Sequence, residues 1–421
     1  MLLYNKKKYL FKGCELMGRI SLGLSKDIKR DESFQEYRER KLREYQEMTK
    51  RWLPIGQKQI EPEDGYITII TQKNKVKKIK LEDLEENTNR KKLLKNAKIV
   101  ITANGTKTIP ETLFYETDIS EVLLNDGLES IGEKAFRETG LVEIEMPSTI
   151  RDIGLEAFYG CKSLEQVTLN EGLESIGKKA FEATGLVEIE MPSTIRNIGA
   201  NAFWGCESLK QARLNEGLES IAYNAFAWTG LVEIEIPSTI IEIESGAFYG
   251  CKSLEKATLN EGLETIRERV FEGTGLVEIE MPSTIRSIGS DAFWGCESLK
   301  QARLNEGLDT IRKRAFGETG LDTIKIPSTV KNIEYNLFPN CKYLKEVIAP
   351  RNMHETLKEM FKNQRKWIRI SEYDNTIIGK NGTQEDPRSE DEIAKKIRQL
   401  QQERNQLREQ QEKKPGKNIG E

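Results

Sequence analysis

A 45-residue repeat occupies the middle of this 421-residue chain and constrains its fold more than any other feature. The segment LNEGLESIGKKAFEATGLVEIEMPSTIRNIGANAFWGCESLKQAR begins at Leu169, and close copies begin at Leu124, Leu214, Leu259 and Leu304. One such repeat cannot bury its own apolar residues, whereas a stack of neighbouring repeats buries a continuous core. The sequence therefore predicts a solenoid.

Each 45-residue repeat divides into two similar units of 22 or 23 residues, and each unit contains one phenylalanine, which follows an alanine in most units. The units predict about eleven coils over residues 101–348, with irregular first and last coils that act as caps. At roughly 4.8 Å per coil they would form a rod on the order of 50 Å long. The marking residues are Phe114, Phe136, Phe158, Phe181, Phe203, Phe226, Phe248, Phe271, Phe293, Phe316 and Phe338.

The pattern within one unit predicts how a coil is built. In LVEIEMP, the apolar Ile144 and Met146 alternate with Glu143 and Glu145, which is the pattern of a β-strand with one buried side. A turn of Pro, Ser and Thr follows, or of Asn, Glu and Gly in the other unit type. A second apolar pair and the Ala-Phe dipeptide then predict a short helical or irregular return.

The Ala-Phe dipeptide, the Cys three residues or the Gly four residues after the Phe, and the run L-x-x-I-x-I/M-P resemble the BspA-like branch of the leucine-rich-repeat family. The resemblance extends over about residues 101–348. It implies a leucine-rich-repeat solenoid and a non-enzymatic role in adhesion or protein interaction, and many proteins of this kind are exported to the cell surface. No secretory signal is visible in the first residues, so we expect a cytoplasmic location, with the cell surface as the alternative that the resemblance implies.

The predicted fold class is an α/β repeat, with a small α/β cap before the solenoid and a helical tail after it. We divide the chain into five parts: a basic helical segment at 1–60, a small α/β cap at 61–100, the solenoid at 101–348, a capping helix and strand at 349–380, and a linker with a charged helical tail at 381–421.

Two segments outside the repeats have helical patterns. Residues 27–52 predict an amphipathic helix, which either packs on the solenoid or the cap, or serves as a basic partner helix or a membrane-surface helix. In the tail, apolar residues have a heptad-like spacing over only two heptads, fewer than a coiled coil needs. The tail is therefore either a weak self-association or docking helix or a solvated segment. Its apolar residues are Ile393, Ile397, Leu400 and Leu407.

The net charge of -3 is the sum of a basic N-terminal segment and an acidic repeat region. Residues 1–100 carry 25 basic side chains against 15 acidic ones, whereas residues 101–348 carry 24 against 40. An acidic surface repels phosphate, so we do not expect nucleic acid to bind the solenoid. No stretch approaches the roughly 20 apolar residues of a transmembrane helix.

Five cysteines recur every 45 residues and are interpreted as small apolar residues at a buried turn, the alternative being a disulfide or metal ladder. Neighbouring cysteines lie two coils apart, or about 10 Å, whereas a disulfide needs α-carbons within about 7 Å. The chain has one histidine and no Walker-type phosphate loop or GxSxG motif, so we expect no enzymatic activity, no catalytic residue, no cofactor and no metal. The residues concerned are Cys161, Cys206, Cys251, Cys296, Cys341 and His354.

Two rows of residues are candidate partner-binding surfaces. The outward strand positions form an acidic stripe with sparse arginines, which predicts a groove for a basic protein segment; the alternative is a solvated face on which the arginines pair with neighbouring glutamates. An aromatic row after the phenylalanines predicts interface residues, the alternative being packing over the adjacent turn. The candidate residues are Glu143, Glu145, Glu188, Glu190, Glu233, Glu235, Glu278, Glu280, Arg213 and Arg303 on the stripe, and Tyr159, Trp204, Tyr249 and Trp294 in the aromatic row.

The function that these surfaces favour is a protein-binding scaffold that uses the acidic strand face and the aromatic edge. A second hypothesis is an adaptor whose helical ends recruit partners while the solenoid is a rigid spacer. A third is a surface adhesin exported without a recognisable signal.

Overall fold

A computed structural model describes residues 33–49, 63–85, 90, 92–94, 96–362, 368–372, 377–378 and 384–385. Within them the chain forms a succession of short strands and turns that repeats from coil to coil, and helices occur only at its ends. The predicted solenoid is confirmed, and each of its returns is a turn rather than a helix. The tail and its heptad-like residues lie outside the described residues.

The N-terminal end consists of one long helix and a small antiparallel sheet. Helix α1 is Phe34–Thr49, strands β1 and β2 are Tyr66–Thr71 and Val76–Lys80, helix α2 is Glu82–Glu85, and strand β3 is Ala97–Thr102. Strand β1 pairs in antiparallel fashion with β2 and β3, and β3 pairs in parallel with the first strand of the solenoid. The cap therefore joins the solenoid through a continuous sheet.

The first row of strands follows the predicted alternation of apolar and polar residues. Strands that pair are parallel and in register, as in the pairing of Glu188 with Gln211 and of Glu190 with Arg213, and the row is divided into successive small sheets. The strands are Glu121–Leu123, Glu143–Glu145, Gln166–Thr168, Glu188–Glu190, Gln211–Arg213, Glu233–Ile236, Lys256–Leu259, Glu278–Glu280, Gln301–Arg303, Thr323–Lys325 and Glu346–Ile348.

A second row of eleven two-residue strands forms one continuous parallel sheet on another side of the coil. The sequence predicted only an apolar pair at this place; two residues are too short a run to show the alternation of a strand. The strands are Thr108–Ile109, Ser130–Ile131, Asp152–Ile153, Ser175–Ile176, Asn197–Ile198, Ser220–Ile221, Glu242–Ile243, Thr265–Ile266, Ser287–Ile288, Thr310–Ile311 and Asn332–Ile333.

The C-terminal end closes the last coil with a helix and a strand. A 3-10 turn at Arg351–Met353 leads into helix α3, His354–Phe361, and strand Arg369–Ser371 pairs in parallel with Glu346–Ile348. The His354 ring lies 3.0 Å from the carbonyl oxygen of Ala349. The strands Ile377–Ile378 and Gln384–Glu385 pair with each other.

The phenylalanines form a stack through the centre of the solenoid. All eleven side chains are buried, and successive rings lie 5.1 to 6.1 Å apart. Most neighbouring rings are nearly parallel, and Phe361 of α3 extends the stack beyond Phe338 at 6.0 Å. Because each ring contacts the rings of the coils before and after it, burial of the core depends on stacking rather than on any single coil.

The repeated cysteines lie beside this stack as buried thiols. The Sγ of Cys206 donates to the carbonyl oxygen of Phe181 at 3.0 Å and lies 3.1 Å from the hydroxyl of Thr184, and the same contacts recur at the other repeats. Burial raises the pKa of the Cys206 thiol from 9.0 to about 11. The turn therefore uses a small side chain whose thiol donates to a carbonyl that also accepts from the Thr184 hydroxyl, a contact that an alanine could not make.

Candidate interaction surface

The outward side chains of the first strand row form a surface that we call the strand face. Each strand from residue 143 to residue 303 places two side chains on it, one on each side of a buried residue. Parallel, in-register pairing aligns these positions into two columns along the solenoid. The first column is Glu143, Gln166, Glu188, Gln211, Glu233, Lys256, Glu278 and Gln301; the second is Glu145, Thr168, Glu190, Arg213, Glu235, Thr258, Glu280 and Arg303.

Two of the glutamates pair with arginines on the next strand. Arg213 lies 3.3 Å from Glu190 and Arg303 lies 3.3 Å from Glu280, and all four side chains are exposed. Exposed pairs of this kind contribute about 0 to 1 kcal/mol each. The two pairs are 90 residues apart rather than 45, because the position 45 residues after Arg213 holds Thr258, which has no charge.

The remaining central glutamates of the strand face are exposed and have no ion pair within the part of the chain that the structure describes. They carry the acidic character of the face, since the pairs with arginine are neutralised. Shallow depressions open between the strands here, lined by Gln211, Glu233, Lys256 and their neighbours. The unpaired glutamates are Glu188, Glu233, Glu235 and Glu278.

Helix α1 covers the beginning of the strand face. Its Lys41 is buried, with a side chain 6% exposed, and its Nζ lies 2.7 Å from Glu143 and 4.0 Å from Glu121. Glu143 is only 16% exposed and Glu145 is buried. The packing predicted for this helix is confirmed, and it places two of the candidate glutamates beneath the helix rather than on the open face.

The contacts of α1 extend on both sides of Lys41. Arg38 is buried and donates to the backbone oxygens of Leu124 and Thr102. The Tyr45 hydroxyl donates to the Glu121 carboxylate at 2.8 Å. Burial, together with the Glu121 charge, raises the pKa of Tyr45 well above 10.0. The charged groups of Lys41 and Arg38 and the hydroxyl of Tyr45 therefore all have polar partners inside the interface, as buried polar groups usually do.

An apolar patch lies beneath the rest of α1. Ile99, Ile101 and Leu123 occupy outward positions of the first strands and pack with Tyr37 and Tyr45 of the helix. In the central repeats the equivalent positions hold Glu, Gln, Thr, Lys or Arg. Sequence reasoning missed this patch, although the signal was readable: strands that are apolar on both sides need a cover.

The aromatic row runs separately from the strand face. Arginines of neighbouring coils lie over three of its rings: Arg137 is 4.2 Å from the Tyr159 ring, Arg269 is 4.6 Å from Tyr249, and Arg314 is 5.2 Å from Trp294. The most exposed of the four is Trp204, at 37%.

The Ala-Phe turn, the strand of alternating residues and the stacked coils have a counterpart among known families. A model of the BspA type leucine-rich repeat region matches six copies, over residues 82–210, 174–296 and 264–381. The chain belongs to this family. Leucine-rich-repeat proteins of this kind are typically surface proteins or protein-interaction scaffolds.

The chain is also similar to solved structures of other leucine-rich-repeat proteins. One from Bacteroides ovatus is 22% identical, with 66% of this chain and 92% of that chain covered and a TM-score of 0.45. The pneumococcal vaccine antigen PcpA is 22% identical, with 69% and 72% covered and a TM-score of 0.40. A leucine-rich cell surface protein from Faecalibacterium prausnitzii is 19% identical, with 75% and 94% covered and a TM-score of 0.36. No curated protein matches this chain.

None of the helices in the described part of the chain combines the length and the apolarity that crossing a bilayer requires.

Proposed function

We propose that this BspA-type leucine-rich-repeat protein is a non-enzymatic scaffold that binds a basic segment of another protein on its strand face. The observation that supports this most directly is the contact of Lys41 with Glu143. At that point the strand face already accepts a cationic side chain of the chain's own helix. The same acidic column continues for several coils beyond α1.

The open part of the face has the charge that such a partner needs. Glu188, Glu233, Glu235 and Glu278 are exposed carboxylates on every second coil, and Arg213 and Arg303 neutralise only their own partners. Each exposed ionic contact contributes little, so binding would require several contacts made together. An acidic surface also steers a basic partner toward the face and accelerates association.

Charge reversal on the strand face tests this proposal. The test variant carries Glu188→Lys, Glu233→Lys and Glu278→Lys. The matched control carries three reversals at the same 45-residue period beside the second sheet, where the glutamates are also exposed. The control substitutions are Glu174→Lys, Glu219→Lys and Glu264→Lys.

The intact protein and both variants would capture partners from native lysate for identification by mass spectrometry, after circular dichroism has shown that all three are folded. We expect one protein to be captured by the intact chain and the control but lost from the strand-face variant. Equal capture by all three would overturn the proposal and move the function to the helical ends or the aromatic edge.

We also propose that the protein acts in the cytoplasm. A reducing compartment would keep the five buried cysteines of the described chain as thiols. Fractionation of native cells with surface labelling tests this location. A labelled pool on the outside of intact cells would overturn it and would favour the surface adhesin.

A further inference from the structure

We propose that two exposed tryptophans on neighbouring Ala-Phe turns bind a neutral oligosaccharide, whose sugar rings lie on the indoles and whose hydroxyls bond to nearby amides. The residues are Trp204 and Trp228, with Asn201 and Asn224 on the same two turns. We call this group the indole site. It lies on the turns rather than on the strand face, so it stands independently of the proposed protein-binding function.

One backbone hydrogen bond joins the two tryptophans of the indole site. The amide of Gly205, which directly follows Trp204, donates at 2.9 Å to the carbonyl oxygen of Ala227. Ala227 directly precedes Trp228, so the two tryptophans lie side by side, and they are 37% and 38% exposed. A Cβ at Gly205 would meet no atom within 4 Å apart from its chain neighbours. The two indoles therefore flank an open space.

This open space results from the order of small and large residues along the turns. The amides of Ala183 and Trp228 make the same backbone bond to the turn that follows each of them. The Trp228 ring covers the glycine of that next turn, Gly250, at 2.8 Å from where a Cβ would lie. Ala183 has only a methyl group and leaves the equivalent Gly205 uncovered. Trp228 also packs edge-on against the Tyr249 ring at 5.4 Å, which holds its indole in place before a ligand binds.

Two amide side chains and a third aromatic ring complete the indole site. Asn201 and Asn224 hold the same position in their turns, and both have positive φ. Within the described residues, neither side-chain amide has a hydrogen-bond partner. Tyr223 is 53% exposed, and its carbonyl oxygen accepts from the backbone amide of Asn201 at 2.9 Å. A side-chain amide offers donors and an acceptor without a charge, which is what sugar hydroxyls can use.

The copy of this region 90 residues later differs in the contacts of its tryptophan. There Arg314 lies over the Trp294 ring at 5.2 Å and pairs with Asp291 at 2.6 Å. In the described chain no cation lies over the Trp204 ring, and Lys252 is 5.6 Å from the Trp228 ring. The indole site is thus a largely neutral interruption in a charged row of turns. The residues that replace Asn201, Tyr223, Asn224 and Trp228 in the copy are Asp291, Lys313, Arg314 and Glu318.

The size and the charge of the site favour a sugar over a macromolecule. At about 150 to 250 Å² per aromatic side chain, Trp204, Tyr223 and Trp228 together expose about 200 to 300 Å². A standard protein interface buries about 800 Å² on each partner. A single-stranded nucleic acid also stacks on indoles, but the acidic repeat region repels its phosphates. The C–H face of a pyranose, in contrast, packs well on an indole, because the ring face carries partial negative charge.

Isothermal titration calorimetry on the full-length protein tests this proposal. The probes are neutral hexasaccharides of β-1,4-glucose, β-1,3-glucose, α-1,4-glucose and β-1,4-N-acetylglucosamine, and we expect at least one to bind. Trp204→Ala and Trp228→Ala should each weaken binding about tenfold, since each removes one stacking surface. Trp204→Phe should retain part of the affinity, and the matched control Trp294→Ala should retain all of it. The absence of binding by every probe would overturn the proposal, as would equal losses in Trp204→Ala and Trp294→Ala.

A double variant transfers the charged turn into the indole site. Asn201→Asp with Asn224→Arg reproduces the pair of Asp291 and Arg314, which the same fold already accommodates beside Trp294. We expect thermal unfolding to stay unchanged while saccharide binding is lost, because the new arginine would lie over the Trp204 ring. Binding that persists in a folded double variant would contradict the role of that indole.

The strand-face variant separates this proposal from the proposed function. The triple reversal Glu188→Lys, Glu233→Lys and Glu278→Lys should leave saccharide binding unchanged, because these side chains lie on the strands. Loss of binding in that variant would place the ligand elsewhere and overturn the indole site. If no saccharide bound and Trp204→Ala instead removed a captured protein, the two tryptophans would be a protein interface and the saccharide proposal would fail.

Discussion

The contact between Lys41 and Glu143 provides a quantitative test of how α1 is held on the strand face. The Nζ and Oε1 atoms are 2.7 Å apart, and the two side chains are 6% and 16% exposed. The substitution Lys41→Met keeps most of the apolar stem and removes the charge. Glu143 would then remain under the helix, with Lys98 near Glu121 as the next cation on that side.

The expected magnitude lies between two limits. Removing one partner of a buried pair costs about 3 to 5 kcal/mol, because the other charge stays uncompensated. An exposed pair contributes about 0 to 1 kcal/mol. Glu143 keeps some contact with solvent, so we expect Lys41→Met to destabilise the docked helix by about 2 to 3 kcal/mol. Adding Glu143→Gln should recover part of this loss, because no unpaired charge then remains.

Hydrogen–deuterium exchange of the α1 amides measures this free energy, since local detachment of the helix exposes them without unfolding of the solenoid. The control is Arg43→Met on the same helix, where the side chain is 68% exposed and reaches only Glu39 at 3.7 Å. Exchange in the control should rise little. If Lys41→Met and Arg43→Met had equal effects, the ion pair would not hold the helix, and Tyr37 and Tyr45 would have to do so.

Three other substitutions test the packing of the coils. Gly250→Ala should destabilise the protein more than Gly205→Ala, as measured by urea unfolding followed by Trp fluorescence. Both glycines have positive φ, which costs an alanine about 1 to 2 kcal/mol. In addition, a Cβ at Gly250 would lie 2.8 Å from the Trp228 ring, whereas a Cβ at Gly205 would meet open space. Equal losses of stability in the two variants would show that the Trp228 ring moves aside freely. Phe203→Ala should cost about 3 to 5 kcal/mol in thermal or urea unfolding, because its ring is fully buried between two others, and a loss below 1 kcal/mol would contradict the stacking. Burial raises the pKa of Cys206 to about 11, so the protonated thiol's contribution to the free energy of unfolding is present below pH 9 and is lost as the pH rises toward 11. Across that window the stability advantage of the wild type over Cys206→Ala should shrink by up to about 2 to 3 kcal/mol. A difference that stays constant with pH would show that the thiol ionises normally.

The repetitive part of this fold was predictable because every coil must bury the same apolar residues in the same way. A phenylalanine every 22 or 23 residues can be buried only against its neighbours, so the period alone predicts the stack. The alternation around Ile144 likewise predicts the strand and which side chains point outward. In contrast, the second sheet has strands of two residues, such as Ser175–Ile176, and their pairing depends on the neighbouring coils rather than on any local pattern.

The place where α1 lies could not be read from the repeat, because a repeat assigns the same role to every coil. The amphipathic pattern of residues 27–52 predicted a helix that packs against something, and the structure has Phe34–Thr49 on the first strands. What selects those strands is the departure from the repeat at Ile99, Ile101 and Leu123. The same departure explains why Glu143 and Glu145, which look equivalent to the other glutamates in sequence, differ from them in exposure.

The cap and the repeat therefore divide the strand face between them. Where outward positions are apolar, α1 is a permanent cover, and its lysine compensates the first carboxylates beneath it. Where outward positions are glutamate, no single contact is strong enough to hold a segment, because exposed ion pairs contribute little. Repetition at 45 residues offsets that weakness, because it offers the same exposed carboxylate at Glu188, Glu233 and Glu278. A partner with a matching period can engage all of them at once, whereas a partner with one basic residue gains from only one.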